Sequence, residues 1–178
     1  MNEKKLQSAR AIPAMKPGVI RTYTGKIFNV FDPDPDMICI EDIAHALSNL
    51  CRFGGHTDDF YSVAEHSYRV SVEVPRALKL QALLHDASEA YLVDMPSPIK
   101  YYMPQYREFE DKLMHVIAGK FGFEYPLSNI VRRADKYLQQ LEWERFIIKE
   151  RYWWSPYTNE DAELLFLNHY KITIKNNN

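Results

Sequence analysis

Apolar positions follow two different periods along this chain, and the switch between them fixes the expected architecture. Near the front, residues 19–23 and 26–31 are short β-prone runs on either side of Thr24-Gly25, a pattern that predicts a hairpin. Asp32-Pro33-Asp34-Pro35-Asp36 then reads as a turn, because prolines and short acidic residues stop both helix and sheet. One more short strand is expected over residues 37–40. Pro13 and Pro17 mark residues 1–18 as a loosely held leader.

Beyond residue 40 the period is helical. Ile43, Ala44, Leu47 and Leu50 share one face before Gly54-Gly55 breaks the chain. Ser62 and Glu65 form an S-x-x-E capping pattern that opens a helix with Val63, His66 and Val70 on one side. Leu80, Leu83, Leu84, Ala87 and Tyr91 predict one further helix, ending before Pro96-Ser97-Pro98. Phe109, Leu113, Val116 and Ile117 give another, with Gly122 just past its end. Ser128 is expected to cap a long helix through Ile130, Val131, Ala134, Leu138 and Leu141, and Thr158 with Asp161 opens a last one reaching His169. The fold class is therefore mainly α: a compact helical bundle with a small N-terminal β-hairpin. One domain is expected over residues 19–172, followed by a tail over residues 173–178.

Composition narrows the function classes. At 178 residues, with 46% hydrophobic and 26% charged positions, the chain is sized for a single soluble core. A net charge of −2 gives no electrostatic footprint for a stable nucleic-acid partner. Cys39 and Cys51 are too few for a disulfide framework and read as reduced thiols of a cytoplasmic protein. No membrane span or secretion signal is expected.

The most informative residues are His85-Asp86, an imidazole and a carboxylate side by side in a run that otherwise reads as buried helix. Consecutive helical residues project about 100° apart, so both reach one ion only if it lies off the helix between their directions. His66 on the preceding helix and Asp135 on a later one can close the far side. Singly, each reads more readily as a packed core residue, or for Asp135 as half of a surface pair with Arg132 or Arg133. Jointly they make a set suited to a divalent cation with positions left open for water and a phosphate oxygen. Mixed nitrogen and oxygen ligands leave Mn, Co, Zn and Mg as candidates.

With these residues in view, the chain resembles the HD-domain metal-dependent phosphohydrolase superfamily, over roughly residues 40–141. The resemblance rests on Ser62-Val63-Ala64-Glu65-His66-Ser67, His85-Asp86-Ala87-Ser88-Glu89-Ala90, Asp94-Met95-Pro96-Ser97-Pro98-Ile99-Lys100 and Ala134-Asp135. It is closest to the small nucleotide-hydrolysing branch, the bacterial 5′-deoxynucleotidases and the small phage deoxynucleoside triphosphohydrolases that remove dATP.

That resemblance implies metal ligation by His66, His85, Asp86 and Asp135, and attack of metal-activated water on phosphorus. It also implies that Glu89 orients water or relays a proton, that Asp94 contacts the sugar 3′-hydroxyl, and that Arg52 contacts substrate. Phe53 stands where the 5′-deoxynucleotidases have Trp, and the His66–His85 interval is shorter than theirs. Both departures leave substrate choice open. Lys100 offers a point charge for phosphate, or reads equally as a solvated lysine. His56, on its Gly54-Gly55 loop, reads as a phosphate donor or proton source at the pocket mouth, slightly ahead of a turn histidine whose ring bonds local backbone.

The activity expected is dNTP triphosphohydrolysis, giving deoxynucleoside and triphosphate, with dNMP 5′-nucleotidase activity as the alternative. Signalling-nucleotide hydrolysis and a non-catalytic nucleotide-binding module are the further readings. His45, His115 and His169 read as structural. Trp143, Tyr152, Trp153 and Trp154 read as core or subunit contact ahead of base stacking. The resemblance also implies a homo-oligomer, in a bacterium or a phage-infected host.

Overall fold

The computed structural model describes residues 16–150 and 154–175. The hairpin forms as expected but is shorter, with β1 (Val19–Arg21) antiparallel to β2 (Ile27–Asn29) and Ile20 opposite Phe28. Phe28 is fully buried and packs against Tyr91 at a ring-centroid distance of 4.4 Å. The strand expected over residues 37–40 does not form. Asp34 accepts a hydrogen bond from the Asp36 amide and Pro35 presets the first helical turn, so Pro35–Met37 is a 3₁₀ turn leading into a helix.

That helix, α1 (Ile40–Asn49), buries Ile43, Ala44 and Leu47. A short bridge follows: Cys51 pairs with Ser62, the Arg52 amide donates to Tyr61 and the Val63 amide to Leu50. It closes the loop that carries Phe53 and His56. Ser62 caps α2 (Val63–Val72) by accepting from the Glu65 amide at 3.0 Å. The capping pattern is only half used, because the Glu65 carboxylate turns instead to Arg69 and to the Tyr157 amide.

The single helix expected through Tyr91 is broken. It divides into α3 (Lys79–Leu83) and α4 (Glu89–Leu92), with His85 and Asp86 in the tight turns between. Ala87, Glu89, Ala90 and Tyr91 donate three residues back rather than four, and the Ala82 carbonyl takes the His85 ring. A side chain has replaced a backbone donor there, which the apolar period does not reveal.

The chain continues through α5 (Ser97–Lys100) and α6 (Pro104–Phe121), which ends on left-handed Gly122 at φ 75°. Helix α7 (Asn129–Trp143) is capped by Ser128 and runs into a wide turn over Glu144–Ile148. Helix α8 (Asn159–Lys175) is opened by Thr158 and extends past His169, so residues 173–175 of the expected tail are helical. Most of the expected leader (residues 1–15) and residues 176–178 lie outside the described residues.

Helices α1, α2 and α8 pack on one another, and α4 packs on α1, around the main core of Ile43, Leu47, Leu83, Leu84, Leu113, Ile117 and Phe166. A second, smaller cluster bears on the site. Val70 and Val74, Ala82, and Val131 with Leu138 join α2, α3 and α7, the elements that flank or carry His66, His85 and Asp135. No helix among the described residues is long and apolar enough to cross a membrane. Both cysteines are free.

Candidate metal centre and nucleotide pocket

Helix α7 shows how the chain points polar groups inward. Val131, Asp135, Leu138 and Glu142 recur at four- and three-residue steps, so they form one stripe. Val131, Leu138 and Glu142 are buried, and Asp135 sits between them at the floor of a cavity. On α2, Val63, His66 and Val70 make the matching stripe, and His66 is fully buried.

The expected ligands meet. His66 Nε2 lies 3.3 Å from His85 Nε2 and 3.1 Å from Asp135 Oδ1, a trio within 4.8 Å of one another. Asp86 Oδ2 approaches from its own side, 3.1 Å from His85 Nε2 and 3.7 Å from His66 Nε2. Metal–ligand bonds of about 2.1 Å place neighbouring ligands roughly 3.0–3.4 Å apart in octahedral or tetrahedral geometry. These spacings fit.

The tautomers fit as well. The Ala82 carbonyl, 2.8 Å from His85 Nδ1, can only accept, so His85 in its neutral form keeps its proton there and leaves Nε2 bare. Glu142 does the same for His66, accepting from Nδ1 at 2.7 Å. Two bare nitrogens and two carboxylates facing one point repel each other unless a proton or a cation lies between them. Burial disfavours the imidazolium, but the Asp86 and Asp135 carboxylates hold the His85 pKa well above its ordinary value. Burial likewise opposes the ionised Asp86, which His85 pulls down to about 2.

The cavity above this centre has a volume of about 740 Å³ and is lined by Arg52, Phe53, His56, Asp86, Glu89, Asp94, Lys100 and Asp135. Every expected site residue except the two buried ligand histidines therefore contributes to its wall, and those two lie just beneath. Arg52 is itself buried, with Nε 3.1 Å from Glu142 Oε2 and Nη1 3.7 Å from Asp86 Oδ2. Glu89 is 4% exposed and its Oε2 has no hydrogen-bond partner among the described residues. Burial, reinforced by Asp86 and Asp94, raises its pKa well above the usual carboxylate range. Burial also raises Asp94. Lys100 bridges Glu110 at 2.6 Å and Glu89 at 3.5 Å, so it is a held side chain and not a solvated one.

Several residues reach the site without having been singled out for it. Glu142 holds His66, Arg52 and Tyr61, and its signal was present as a carboxylate within the apolar stripe of α7. Gln139, Gln140 and Lys136 line the cavity from the same helix. Trp143, read from sequence as core or subunit contact, is instead 44% exposed and lines the cavity, 6.0 Å from the Phe53 ring. Trp154 packs against Tyr61 and Phe146 as expected of core. Tyr152 and Trp153 lie outside the described residues. His45 stacks on Tyr23 and bonds Glu163, and His169 packs edge-on to Tyr68. His115 is exposed, bonding the Asp111 carbonyl and packing edge-on to Tyr125.

Comparison with known proteins adds a family resemblance. Residues 57–122 match the description "5′-deoxynucleotidase YfbR-like", a stretch that includes His66, His85, Asp86, Glu89, Asp94 and Lys100. An uncharacterised Escherichia coli protein, YfdR, is 45% identical over 116 residues, 65% of this chain and 65% of that protein. An uncharacterised Rhodobacter capsulatus protein is 39% identical over 132 residues, covering 68% of this chain and 67% of its own length. A Photobacterium profundum protein named as a 5′-deoxynucleotidase is 31% identical over 124 residues, 56% of each chain. The matched stretch thus spans about two thirds of the first two relatives and less of the third. Over residues 57–122, which carry most of the cavity's acidic and basic groups, the chain is similar to the YfbR-like 5′-deoxynucleotidases of the HD-domain superfamily.

Proposed function

We propose that this chain is a metal-dependent phosphohydrolase that releases phosphate from deoxynucleoside 5′-monophosphates. The observation that carries the reading is the convergence of His66, His85, Asp86 and Asp135 donor atoms at the floor of an open cavity. A divalent ion held there supplies Lewis acidity, making water a nucleophile near neutral pH and offsetting the charge on a phosphate oxygen.

The chain's own groups supply the rest. Arg52, fixed by Glu142 through Nε, presents its remaining guanidinium donors to the phosphate. Water attacks phosphorus and the bond to the 5′-oxygen breaks. Glu89, whose pKa burial raises, gives a proton to that oxygen and takes up the one the water loses. Asp94 faces the sugar and accepts from its 3′-hydroxyl. His56 lies at the mouth of the cavity as a further donor to phosphate.

Monophosphate is favoured over the triphosphate reading by the family description and by charge. Arg52 is shared with Glu142, and Lys100 is engaged by Glu110 and Glu89. Among the described residues Lys136 is the remaining lysine or arginine of the cavity wall, and a triphosphate tail brings more negative charge than one such side chain balances.

Assay of dNMPs and dNTPs with Mn, Co, Mg or Zn separates the readings. Phosphate from dNMPs is expected, with the Asp86→Ala protein folded and slower by on the order of 10³-fold. Triphosphate from dNTPs with dNMPs untouched reverses the order, and an undiminished Asp86→Ala rate removes the site.

A further inference from the structure

Glu142 is fully buried, and among the described residues it accepts hydrogen bonds from the ion centre (His66), the pocket wall (Arg52) and the buried Tyr61 hydroxyl. Its Oε1 accepts from the Tyr61 hydroxyl at 2.7 Å and from His66 Nδ1 at 2.7 Å; its Oε2 accepts from Arg52 Nε at 3.1 Å. It stands seven residues after Asp135, two helical turns along the same stripe of α7.

We propose that Glu142 is a positioning residue that fixes the ion-facing tautomer of His66 and the orientation of Arg52 together, so that the ion site and the phosphate site share one buried anchor. The inference rests on the reading of His66 as an ion ligand and Arg52 as a phosphate contact. A carboxylate only accepts, so it compels His66 to carry its proton on Nδ1 and to direct the Nε2 lone pair toward His85 and Asp135. The other oxygen occupies Arg52 Nε, which sets the plane of the guanidinium and leaves its terminal nitrogens for the cavity. Neutralising a buried arginine would need only Oε2. The short bond to His66 is what makes the carboxylate serve the ion centre as well.

Glutamine cannot do both jobs. Its single oxygen can accept from His66 or from Arg52, and its amide then presents N–H to the other, donor against donor. Titration calorimetry of full-length, metal-free protein with Mn²⁺, then of the Mn²⁺-loaded protein with inorganic phosphate, reads both sites without turnover. Glu142→Gln is expected to lose about 10- to 100-fold in affinity for Mn²⁺, and to bind phosphate more weakly. Tyr61→Phe, which removes an equally buried bond to the same carboxylate, is expected to leave both within about threefold.

A folded Glu142→Gln protein that binds both as wild type does overturns the proposal, and so does an equal loss in Tyr61→Phe, which would assign the effect to packing. A wild-type readout covers the case where the glutamine variant does not fold. In Zn²⁺-loaded protein, a His66 Nδ1 proton resonating at the low field of carboxylate-bonded imidazoles supports the proposal, and a proton-free Nδ1 overturns it. Wild-type protein that binds Mn²⁺ and phosphate yet hydrolyses no nucleotide sinks the enzymatic reading while leaving the anchor in place.

Discussion

The Tyr106 hydroxyl donates to the carbonyl oxygen of Val93 at 2.6 Å, and Val93 holds φ 68° and ψ 156°, a conformation open to glycine and hostile to a β-branched residue. Asp94 follows directly and lines the cavity. The two residues hold a strained peptide that aims an acid. Strain of this kind amounts to about 1–3 kcal/mol, against about 0.5–1 kcal/mol for the extra backbone freedom of glycine.

Val93 is 56% exposed, so truncating it gives up little packing. Val93→Gly is therefore expected to raise the melting temperature while loosening Asp94 and eroding the proposed preference for deoxyribose. Tyr106→Phe should erode the same preference without the stability gain, losing about 1 kcal/mol for the missing bond. Thermal melts and deoxy/ribo activity ratios test both. A lower melting temperature for Val93→Gly would show that the peptide is not strained.

The hairpin is tied to α1 through one buried carboxylate. Asp42 accepts from the Thr24 amide at 2.7 Å, the Thr24 hydroxyl at 2.9 Å and the Cys39 thiol at 3.0 Å. Burial would raise its pKa, but these donors outweigh burial and hold it below its ordinary value near 3.8. A depressed folded pKa contributes stability above the unfolded value and loses it as pH falls through the folded one. Asp42→Asn should cost about 2 kcal/mol near neutrality, with the gap to wild type closing in acid. Urea midpoints at several pH values measure it, and a gap constant down to about pH 3 would contradict the assignment.

At the ion centre the sign is opposite. Burial and the Arg52 charge work against a charged His66, and burial against His85, yet the carboxylates around them raise both pKa values above 6.5. In metal-free protein, the stability linked to those protons is full below about pH 6.5 and is lost as pH rises through the folded values. A divalent ion takes the place of the protons. The melting-temperature gain on adding Mn²⁺ should therefore be small in mild acid and grow with pH. At a hundredfold excess over Kd it corresponds to about 2.7 kcal/mol, or roughly 5–10 °C for a chain of this size. Fluorimetric melts with chelator and with Mn²⁺ provide the test; a pH-independent gain would mean the ion binds elsewhere.

The helices were legible because their apolar faces repeat cleanly, as in Ile43-Ala44-Leu47, and because Ser62, Ser128 and Gly122 announce their ends. The break at His85-Asp86 was not, since Leu83, Leu84, Ala87 and Tyr91 keep a helical period while the Ala82 carbonyl is taken by an imidazole. That break supersedes the 100° argument for adjacent helical residues, because the two ligands project from tight turns. Glu142 was visible as an anomaly in an apolar stripe, but only the fold brings Tyr61 and Arg52 to it from more than eighty residues away. Trp143 misled for a related reason: an aromatic at the end of an amphipathic helix reads as core, and only the packing of α7 leaves it beside the cavity.

Trp143 consequently makes a prediction about binding rather than stability. Its ring is half exposed and tilted toward Phe53, which itself sits at φ 55° on the loop closed by the Cys51–Ser62 bridge. The two aromatic faces at the mouth of the cavity suit a nucleobase whose phosphate reaches Arg52. Base–aromatic stacking contributes about 1–3 kcal/mol and accepts any base, since each has a π-face. Trp143→Ala should then raise KM roughly 5- to 30-fold, for about 1–2 kcal/mol, across all four deoxynucleotides with kcat little changed. Steady-state kinetics with each base check it. A fall in kcat at constant KM would remove Trp143 from the base site, and a large loss of stability would return it to the core.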